Sequence, residues 1–334
     1  MKWKKLTIET TTEAVDFISE LLTELGIEGI EIEDSIQLTE AEKKQMFIDI
    51  LPELPEDDGS ARVNCYLEMD QDAEAIREQI LEGIEEIRMF VEVGSANITI
   101  SETEDKDWMN NWKEFFKPFR VDDSIVIKPT WEKLDEVKQD DLVIEIDPGT
   151  AFGTGAHETT RLCIGNLKKY LKEGDALLDL GCGSGILSII GKKLGADYAV
   201  GTDIDVNAVA TAKENVEVNG LTVYETPATE AALARKSGTI ELVAGNVIDD
   251  RAFREVVGLG CYDVVVANIL ADIIIPLSGV VAEHMKPGAV FISSGIIDMK
   301  AEEVKEALLA NGFEIVETVT MKDWVSYVAR VSEK

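Results

Sequence analysis

Apolar and polar positions in the first hundred residues follow two different spacings. Two stretches carry apolar residues three or four positions apart, as on one face of a helix, namely Val15, Ile18, Leu22 and Leu25, and then Ile76, Ile80, Ile84 and Ile87. Strand-like stretches flank them, with the sequences "WKKLTIET", "GIEIED", "VNCYLEMD" and "NITISET". The order strand, helix, strand, strand, helix, strand predicts a ferredoxin-like α+β domain over residues 1–102.

An aromatic stripe follows this first domain. Trp108, Trp112 and either Phe115 or Phe116 fall on one face of a helix that Pro118 ends. Such a stripe is more often part of a packed core than a binding site for a cofactor. We therefore predict that residues 103–120 form a linker helix between two domains.

From residue 121 onward, the pattern changes to short apolar runs separated by helical segments. The runs are "ALLDLG", "YAVGTDI", "IELVAGNV", "YDVVVANIL" and "AVFISSGI", and two more strands close the chain. Runs that are apolar throughout are typical of parallel strands buried on both faces of a sheet. Residues 121–334 are therefore predicted to form a doubly wound α/β domain with right-handed crossovers.

The composition is that of a globular protein with a strongly acidic surface. The chain has 334 residues, of which 45% are hydrophobic and 29% are charged, and its formal net charge is −33. The first hundred residues alone contain 8 basic and 25 acidic residues. Charge of this sign repels the nucleic-acid backbone and attracts basic partners, so we expect no direct nucleic-acid binding. General solubility is the alternative explanation of the charge.

Cysteine usage and the absence of long apolar runs limit the environment of the chain. No run approaches the roughly 18 apolar residues of a membrane-spanning helix, and no apolar stretch follows the basic start "MKWKKLTIET". We therefore expect neither a membrane span nor a signal peptide. The four cysteines are scattered and the chain has only two histidines, which argues against a metal site and favours free thiols in a reducing cytoplasm.

A glycine-rich loop carries the first chemical signal. The segment "LLDLGCGSGIL" places Gly181, Gly183 and Gly185 where the first core strand turns into a helix, so that a ligand can approach the backbone closely. A dinucleotide fingerprint needs its third glycine where Ile186 stands, and a Walker A loop needs a lysine that this segment lacks. The D-x-G-x-G-x-G spacing instead resembles motif I of class I S-adenosylmethionine-dependent methyltransferases.

An aspartate pair follows the next predicted strand. Asp203 ends this strand, and Asp205 stands where a helix begins. A carboxylate at the tip of the second strand can accept hydrogen bonds from both hydroxyls of a ribose. Capping of the helix is the alternative role for either residue. We predict that Asp203 binds the ribose and that Asp205 is the cap.

Two further segments make the resemblance specific. "DPGTAFGTGAHETTRLC" precedes the glycine loop, and "VVVANIL" lies on the fourth core strand. Together with "EDKDW" and "IKPTWE", these motifs occur in the order typical of the ribosomal protein L11 methyltransferase family, and the resemblance extends over the whole chain. The sequence departs from the family pattern mainly at residues 35–62 and 222–240.

The resemblance implies a Rossmann-like, seven-stranded class I methyltransferase domain that uses S-adenosylmethionine. It further implies trimethylation of a basic large-subunit ribosomal protein at lysine side chains and at the N-terminal α-amine. Residues 1–102 would recognise this substrate, and the linker would let the two domains reorient.

Several residues are expected to contact the cofactor. Matching motif positions assigns this role to Thr160, Gly181, Asp203 and Asn268. The residues themselves add Gly183, from the glycine loop, and Phe152, as an apolar cover that keeps water from the sulfonium.

Asn268 is the candidate catalytic residue, since it is predicted to orient the acceptor amine through its side-chain oxygen. Capping of a loop is its alternative role. The segment from Asn268 to Ala271 lacks the prolines and the aromatic ring of the N-P-P-Y segments that hold planar acceptors, which favours an amine. His157 is either a catalytic base or, as we predict, a backbone anchor in a glycine-rich turn. No general base is assigned.

Two other functions compete with this interpretation. One is a small-molecule methyltransferase whose first domain serves oligomerisation. The other is a non-catalytic cofactor-binding module in ribosome assembly. We expect a cytoplasmic monomer.

Overall fold

The computed structural model describes residues 2–27, 30–36, 57–104, 116–134, 136–149, 153–227 and 230–332. The chain divides into two compact units, Met1–Phe115 and Phe116–Lys334. Residues 105–115 of the predicted linker helix lie outside the described residues. Both ends of the predicted linker are strand rather than helix, because residues 103–104 pair with the first strand of the chain and Phe119–Arg120 pairs within the second unit.

The first unit has the predicted ferredoxin-like topology. Its elements are β1 (Lys2–Thr11), α1 (Val15–Glu24), β2 (Ile30–Asp34), β3 (Ser60–Glu68), α2 (Ala73–Ile87) and β4 (Ile98–Glu104). The four strands form an antiparallel sheet in the order β2-β3-β1-β4. Strand β3 begins inside the segment that departs from the family pattern, of which residues 37–56 lie outside the described part of the chain.

Alternation along the strands explains how the helices cover one face of this sheet. Leu6 and Ile8 on β1 are fully buried, and so is Val63 on β3. The helices contribute Ile18 from α1 and Ile80 from α2, both also fully buried. Burial of each such side chain stabilises the fold by about 1.5–3 kcal/mol.

The second unit contains two sheets. A small one consists of β5 (Phe119–Arg120), β6 (Ile125–Pro129) and β7 (Leu142–Ile146). The strands of the main sheet are β8 (Ala176–Leu180), β9 (Tyr198–Asp203), β10 (Thr222–Val223), β11 (Thr239–Ala244), β12 (Tyr262–Asn268), β13 (Met285–Ile297), β14 (Phe313–Met321) and β15 (Trp324–Val331). The helices are α3 (Glu158–Tyr170), α4 (Ile186–Lys193), α5 (Val206–Val218), α6 (Arg251–Val257), α7 (Ala271–Ser278) and α8 (Asp298–Ala310).

The main sheet has eight described strands instead of the seven predicted. Its order is β10-β11-β9-β8-β12-β13-β15-β14, parallel except for the pairings of β15 with β13 and β14. The additional strand is β10, which lies in the 222–240 segment and pairs in parallel with the start of β11, Thr222 opposite Thr239. Two residues at a sheet edge leave no periodic signal in the sequence, which is why the pattern missed this strand.

The strand order places a crevice at the carboxyl ends of β8 and β12. From β8 the chain moves to β9 and β11 on one side, and it then returns to β12 on the other side of β8. Such a reversal is the position at which open α/β sheets bind ligands. No helix in the described residues combines the length and the apolar character that a membrane crossing requires.

Candidate active site

The glycine loop that follows β8 needs glycine for two reasons. Gly181 and Gly183 adopt left-handed backbone conformations, with φ of +75° and +51°. A Cβ atom on Gly181 would also lie 2.4 Å from Cγ2 of Ile269, in the segment after β12. The loop therefore lies in close contact with the other side of the crevice.

The same loop is fastened to β9. The amides of Gly181 and Cys182 donate to the carbonyl of Thr202 at 2.8 and 2.9 Å, and the amide of Gly183 donates to Oδ2 of Asp203 at 2.9 Å. These amides bind groups of the protein, whereas a phosphate-binding loop turns its amides toward an anion. The geometry thus agrees with a ligand that has no phosphate.

Asp203 keeps acceptor capacity after these contacts. Its Oδ2 accepts from Gly183, and its Oδ1 accepts from the amide of Asp205 at 3.0 Å. A carboxylate offers about four lone-pair sites, so roughly half of them remain for hydroxyl donors. Asp205 caps α5 by accepting from the amide of Asn207 at 2.8 Å, which confirms its predicted role.

An exposed apolar side chain adjoins this carboxylate. Ile204 follows Asp203 directly and exposes 77% of its surface. A large aliphatic side chain next to a candidate ribose site is suited to cover an apolar ring of a ligand. Ile204 could not be predicted from the sequence, because a single apolar residue between two aspartates carries no periodic signal.

Asn268 and Thr160 meet on the opposite side of the crevice. Nδ2 of Asn268 donates to Oγ1 of Thr160 at 3.2 Å, and Thr160 is fully buried on α3. Oδ1 of Asn268 is buried and has no hydrogen-bond partner among the described residues. A buried acceptor without a partner costs about 1–3 kcal/mol, so such an atom marks a position for a ligand donor.

The backbone around Asn268 is held from two directions. The amide of Ile269 donates to the carbonyl of Ser294 at 3.1 Å, and a Cβ atom on Gly295 would lie 2.3 Å from the carbonyl oxygen of Ile269. Oγ of Ser294 donates in turn to the carbonyl of Thr159 at 3.2 Å. The ends of β12 and β13 and the start of α3 therefore fix the position of Asn268.

His157 serves as a structural anchor. It is the N-cap of α3, where its Nδ1 accepts from the amide of Thr159 at 3.2 Å. Its ring packs edge-on against Trp324, with 4.7 Å between the ring centroids, and only 8% of the residue is exposed. These contacts agree with the predicted anchoring role rather than with that of a catalytic base.

Asp179, near the end of β8, is a further buried carboxyl beside the glycine loop. Its Oδ2 accepts from the amide and the hydroxyl of Ser188 at 3.0 and 2.8 Å, while its Oδ1 has no partner in the described part of the chain. Burial raises the pKa of this carboxyl to about 7. The only sign of this residue in the sequence is its place as the aspartate of D-x-G-x-G-x-G.

The segment that precedes α3, from which Gly153 is described, contacts the glycine loop. Oγ of Ser184 donates to the carbonyl of Gly153 at 2.6 Å. Phe152 lies outside the described residues, so its predicted role as an apolar cover stays a prediction.

Comparisons with known proteins agree with these features. The model of the family described as ribosomal protein L11 methyltransferase (PrmA) matches residues 2–332. The chain is 66% identical over 334 residues to the ribosomal protein L11 methyltransferase of Lachnoclostridium phytofermentans, covering 100% of both chains. It is 50% identical over 331 residues to the protein of the same name from Lachnospira eligens, covering 99% of both. The chain belongs to the ribosomal protein L11 methyltransferase family.

A solved structure from the same family supports the fold. The ribosomal protein L11 methylase from Lactobacillus delbrueckii subsp. bulgaricus matches with a TM-score of 0.55 and 28% sequence identity, over 65% of this chain and 100% of that chain. Family membership confirms the resemblance that the motifs predicted, together with the class I methyltransferase fold. Within the described residues, no group of three or more His, Cys, Asp or Glu side chains is placed to hold a metal ion.

Proposed function

We propose that this chain is an S-adenosylmethionine-dependent methyltransferase that modifies ribosomal protein L11 on lysine side chains and on the N-terminal α-amine. The names of the two relatives, which share 66% and 50% of their residues with the chain, support the substrate protein. The observation that supports an amine acceptor is the buried, unpartnered Oδ1 of Asn268 at the crevice.

The residues on the β8 and β9 side fit the cofactor. Asp203 presents carboxylate oxygens with unused acceptor capacity, which suits a ligand with ribose hydroxyls. Oδ1 of the buried Asp179 has no hydrogen-bond partner among the described residues, which suits a donor from the same ligand. When bound, S-adenosylmethionine would supply a methyl carbon, which forms a bond to the nucleophile as its bond to the cationic sulfur breaks and neutral S-adenosylhomocysteine leaves. Asp203 would hold the ribose hydroxyls, Ile204 would cover the adenine, and the glycine loop at Gly181 and Gly183 would allow close approach of the backbone.

Asn268 orients the acceptor. Because its Nδ2 is bound to Thr160, its Oδ1 faces the site and accepts an N–H of the amine, which leaves the nitrogen lone pair for the methyl carbon. The amine must arrive neutral, although a lysine has an ordinary pKa of about 10.4. A desolvated site next to a cationic sulfur lowers that pKa, so deprotonation needs no dedicated base.

The first unit suits a basic protein substrate. Its two helices turn many carboxylates to solvent, namely Asp16, Glu20 and Glu24 on α1 and Glu74, Glu78, Glu82, Glu85 and Glu86 on α2. Such a surface attracts a basic ribosomal protein and repels bare nucleic acid. Residues 1–102 would therefore recognise the substrate, residues 121–334 would transfer the methyl group, and residues 103–120 would join them. The enzyme would act as a cytoplasmic monomer without direct nucleic-acid binding.

Transfer of labelled methyl groups tests this function. The protein is incubated with labelled S-adenosylmethionine and either purified L11 or a mixture of small metabolites, with Asp203→Ala as the control for the cofactor site. We expect label in L11 that is lost with the control variant. Label only in small molecules would favour the small-molecule enzyme, and cofactor binding without any transfer would favour the non-catalytic module.

A further inference from the structure

Asn215, in the third turn of α5, joins two parts of the second unit. It is 1% exposed, and its side-chain amide makes three hydrogen bonds to backbone groups. Oδ1 accepts from the amide of Asp147 at 2.9 Å, and Nδ2 donates to the carbonyls of Asp147 at 3.1 Å and Ser184 at 2.9 Å. One side chain thus holds the end of the β7 segment and the glycine loop together.

Ser184 extends this connection. Its carbonyl accepts from Asn215, and its hydroxyl donates to the carbonyl of Gly153 at 2.6 Å, while the residue itself is fully buried. Two residues of the segment that leads to α3 are therefore connected to the glycine loop at Ser184. Gly153 is bound directly, and Asp147 is bound through the side chain of Asn215.

Asn219, four residues after Asn215 and directly after the last residue of α5, provides a natural comparison. Its Oδ1 accepts from the amide of Glu145 at 3.0 Å, and its Nδ2 donates to the carbonyl of the same residue at 2.7 Å. Four residues of helix rise about 6 Å and two residues of strand about 6.6 Å, so Asn215 and Asn219 contact alternate residues of one extended segment. The hydrogen bonds of the Asn219 amide reach Glu145 and the carbonyl of Asn215, and none of them contacts the glycine loop.

We propose that Asn215 is a positioning residue, which sets the glycine loop in its cofactor-binding geometry by tying Ser184 to the segment at Asp147. The proposal rests on the proposed cofactor site. Ser184 directly follows Gly183, whose amide donates to Asp203. A shift of the Ser184 carbonyl therefore also shifts the Gly183 amide and, through it, the Asp203 carboxylate that is proposed to bind the ribose.

Contact between the loop and α5 strengthens this coupling. A Cβ atom on Gly185 would lie 2.9 Å from Cβ of Ala212, one turn before Asn215. The loop therefore rests directly on α5, and the Asn215 amide fixes its position along that helix.

Paired variants test the proposal. Asn215→Ala and Asn219→Ala each remove an asparagine whose side-chain amide binds the same segment. Asn215 is buried and Asn219 is half-buried, and only Asn215→Ala also frees the glycine loop. We expect Asn215→Ala to weaken binding of S-adenosylhomocysteine and to raise the KM for S-adenosylmethionine about tenfold, with kcat changed less. Asn219→Ala should change the affinity for S-adenosylhomocysteine and the KM for S-adenosylmethionine by less than about threefold. It should nevertheless lower the Tm about as much as Asn215→Ala does.

Hydrogen exchange in the cofactor-free protein gives a second measurement. Asn215→Ala should speed amide exchange in residues 153–157 and 181–185, whereas Asn219→Ala should not. If Asn215→Ala does not fold, Asn215→Asp keeps the side-chain volume and the acceptor for the Asp147 amide but loses the donor to the Ser184 carbonyl. It should give the same faster exchange at residues 181–185, together with weaker binding.

Equal effects of the two asparagine variants on binding and exchange would overturn the proposal, since Asn215 would then serve stability alone. If the unaltered protein does not bind S-adenosylhomocysteine, the cofactor assignment fails, and the proposal fails with it. Binding by the unaltered protein with equal effects of the two variants would reject the proposal and leave the proposed function intact.

Discussion

Nδ2 of Asn268 donates to Oγ1 of Thr160 at 3.2 Å, which joins the end of β12 to the first turn of α3 across 108 residues of sequence. This bond fixes the nitrogen end of the Asn268 amide against α3. The oxygen of the same amide is buried and has no hydrogen-bond partner among the described residues, and in the proposed function it accepts from a donor of the substrate. The acceptor side of the site is therefore suited to a group with an N–H to give.

The number of N–H bonds on the acceptor leads to the first prediction. A neutral lysine has two N–H bonds, its monomethyl form has one and its dimethyl form has none. Asn268→Ala should therefore slow the first transfer about tenfold or more and leave the third within about threefold of the unaltered enzyme. Single-turnover rates on unmethylated and dimethyl-lysine forms of L11 measure the difference.

Thr160→Val is the companion variant, because it keeps the volume of the side chain and removes the acceptor that orients Asn268. It should reduce the first transfer by a smaller factor than Asn268→Ala. Equal losses on both forms of L11 would show that Asn268 does not act through an N–H of the substrate.

The second prediction separates two neighbouring aspartates. Asp203→Ala should weaken cofactor binding by about 10- to 100-fold, equivalent to about 1.5–3 kcal/mol for a charge-assisted pair of hydrogen bonds. Asp205→Ala removes the cap of α5 and should lower stability by about 1 kcal/mol with little change in affinity. Calorimetric titration with S-adenosylhomocysteine and thermal unfolding distinguish the two. Unchanged affinity in a folded Asp203→Ala variant would remove this residue from the site.

The third prediction concerns the fit of the glycine loop against Ile269. An alanine at position 181 would be strained at φ +75° and would also place its Cβ atom 2.4 Å from the Ile269 side chain. Gly220 has a similar φ of +68° but nothing within 4 Å of a Cβ atom, so Gly220→Ala isolates the conformational cost. We expect Gly220→Ala to cost about 1–2 kcal/mol, and Gly181→Ala to cost more and to reduce cofactor affinity. Equal stabilities would mean that Ile269 moves aside freely.

The fourth prediction follows from the pKa of Asp179, which burial raises to about 7 from the ordinary value of 3.8. Between these pH values the folded protein keeps a proton that the unfolded chain has lost. The contribution of this carboxyl to stability is thus fully present below the unfolded pKa and is lost as pH rises through about 7. The stability of Asp179→Asn should fall less than that of the unaltered protein between pH 4 and about 7. Parallel curves from denaturant titrations would show that Asp179 is ionised throughout.

Features with a local cause could be predicted from the sequence. The helices and strands of the first unit follow from the spacing of residues such as Ile80 and Ile84, and the Asp205 cap follows from its place before a helix. The D-x-G-x-G-x-G loop was located for the same reason, since its three glycines stand at alternate positions within five residues of the chain.

Features that depend on tertiary packing could not be predicted. The sequence indicated Asn268 and Thr160 separately, but the direction of their hydrogen bond depends on how α3 packs beside β12. The burial of Asp179, the exposure of Ile204 and the three bonds of Asn215 likewise depend on elements distant in sequence. Strand β10 could not be predicted because its two residues carry no sequence pattern of their own. They form a strand only by pairing with the edge of β11.

Mass spectrometry of L11 after reaction with the enzyme and S-adenosylmethionine tests the central claim most directly. Peptide fragmentation should place methyl groups on lysine side chains and on the N-terminal α-amine, with up to three on each nitrogen, because an amine stays nucleophilic until it is fully substituted. The amounts should fall with Asn268→Ala. A methyl group on a glutamine side chain, or label recovered in RNA instead of L11, would contradict the account.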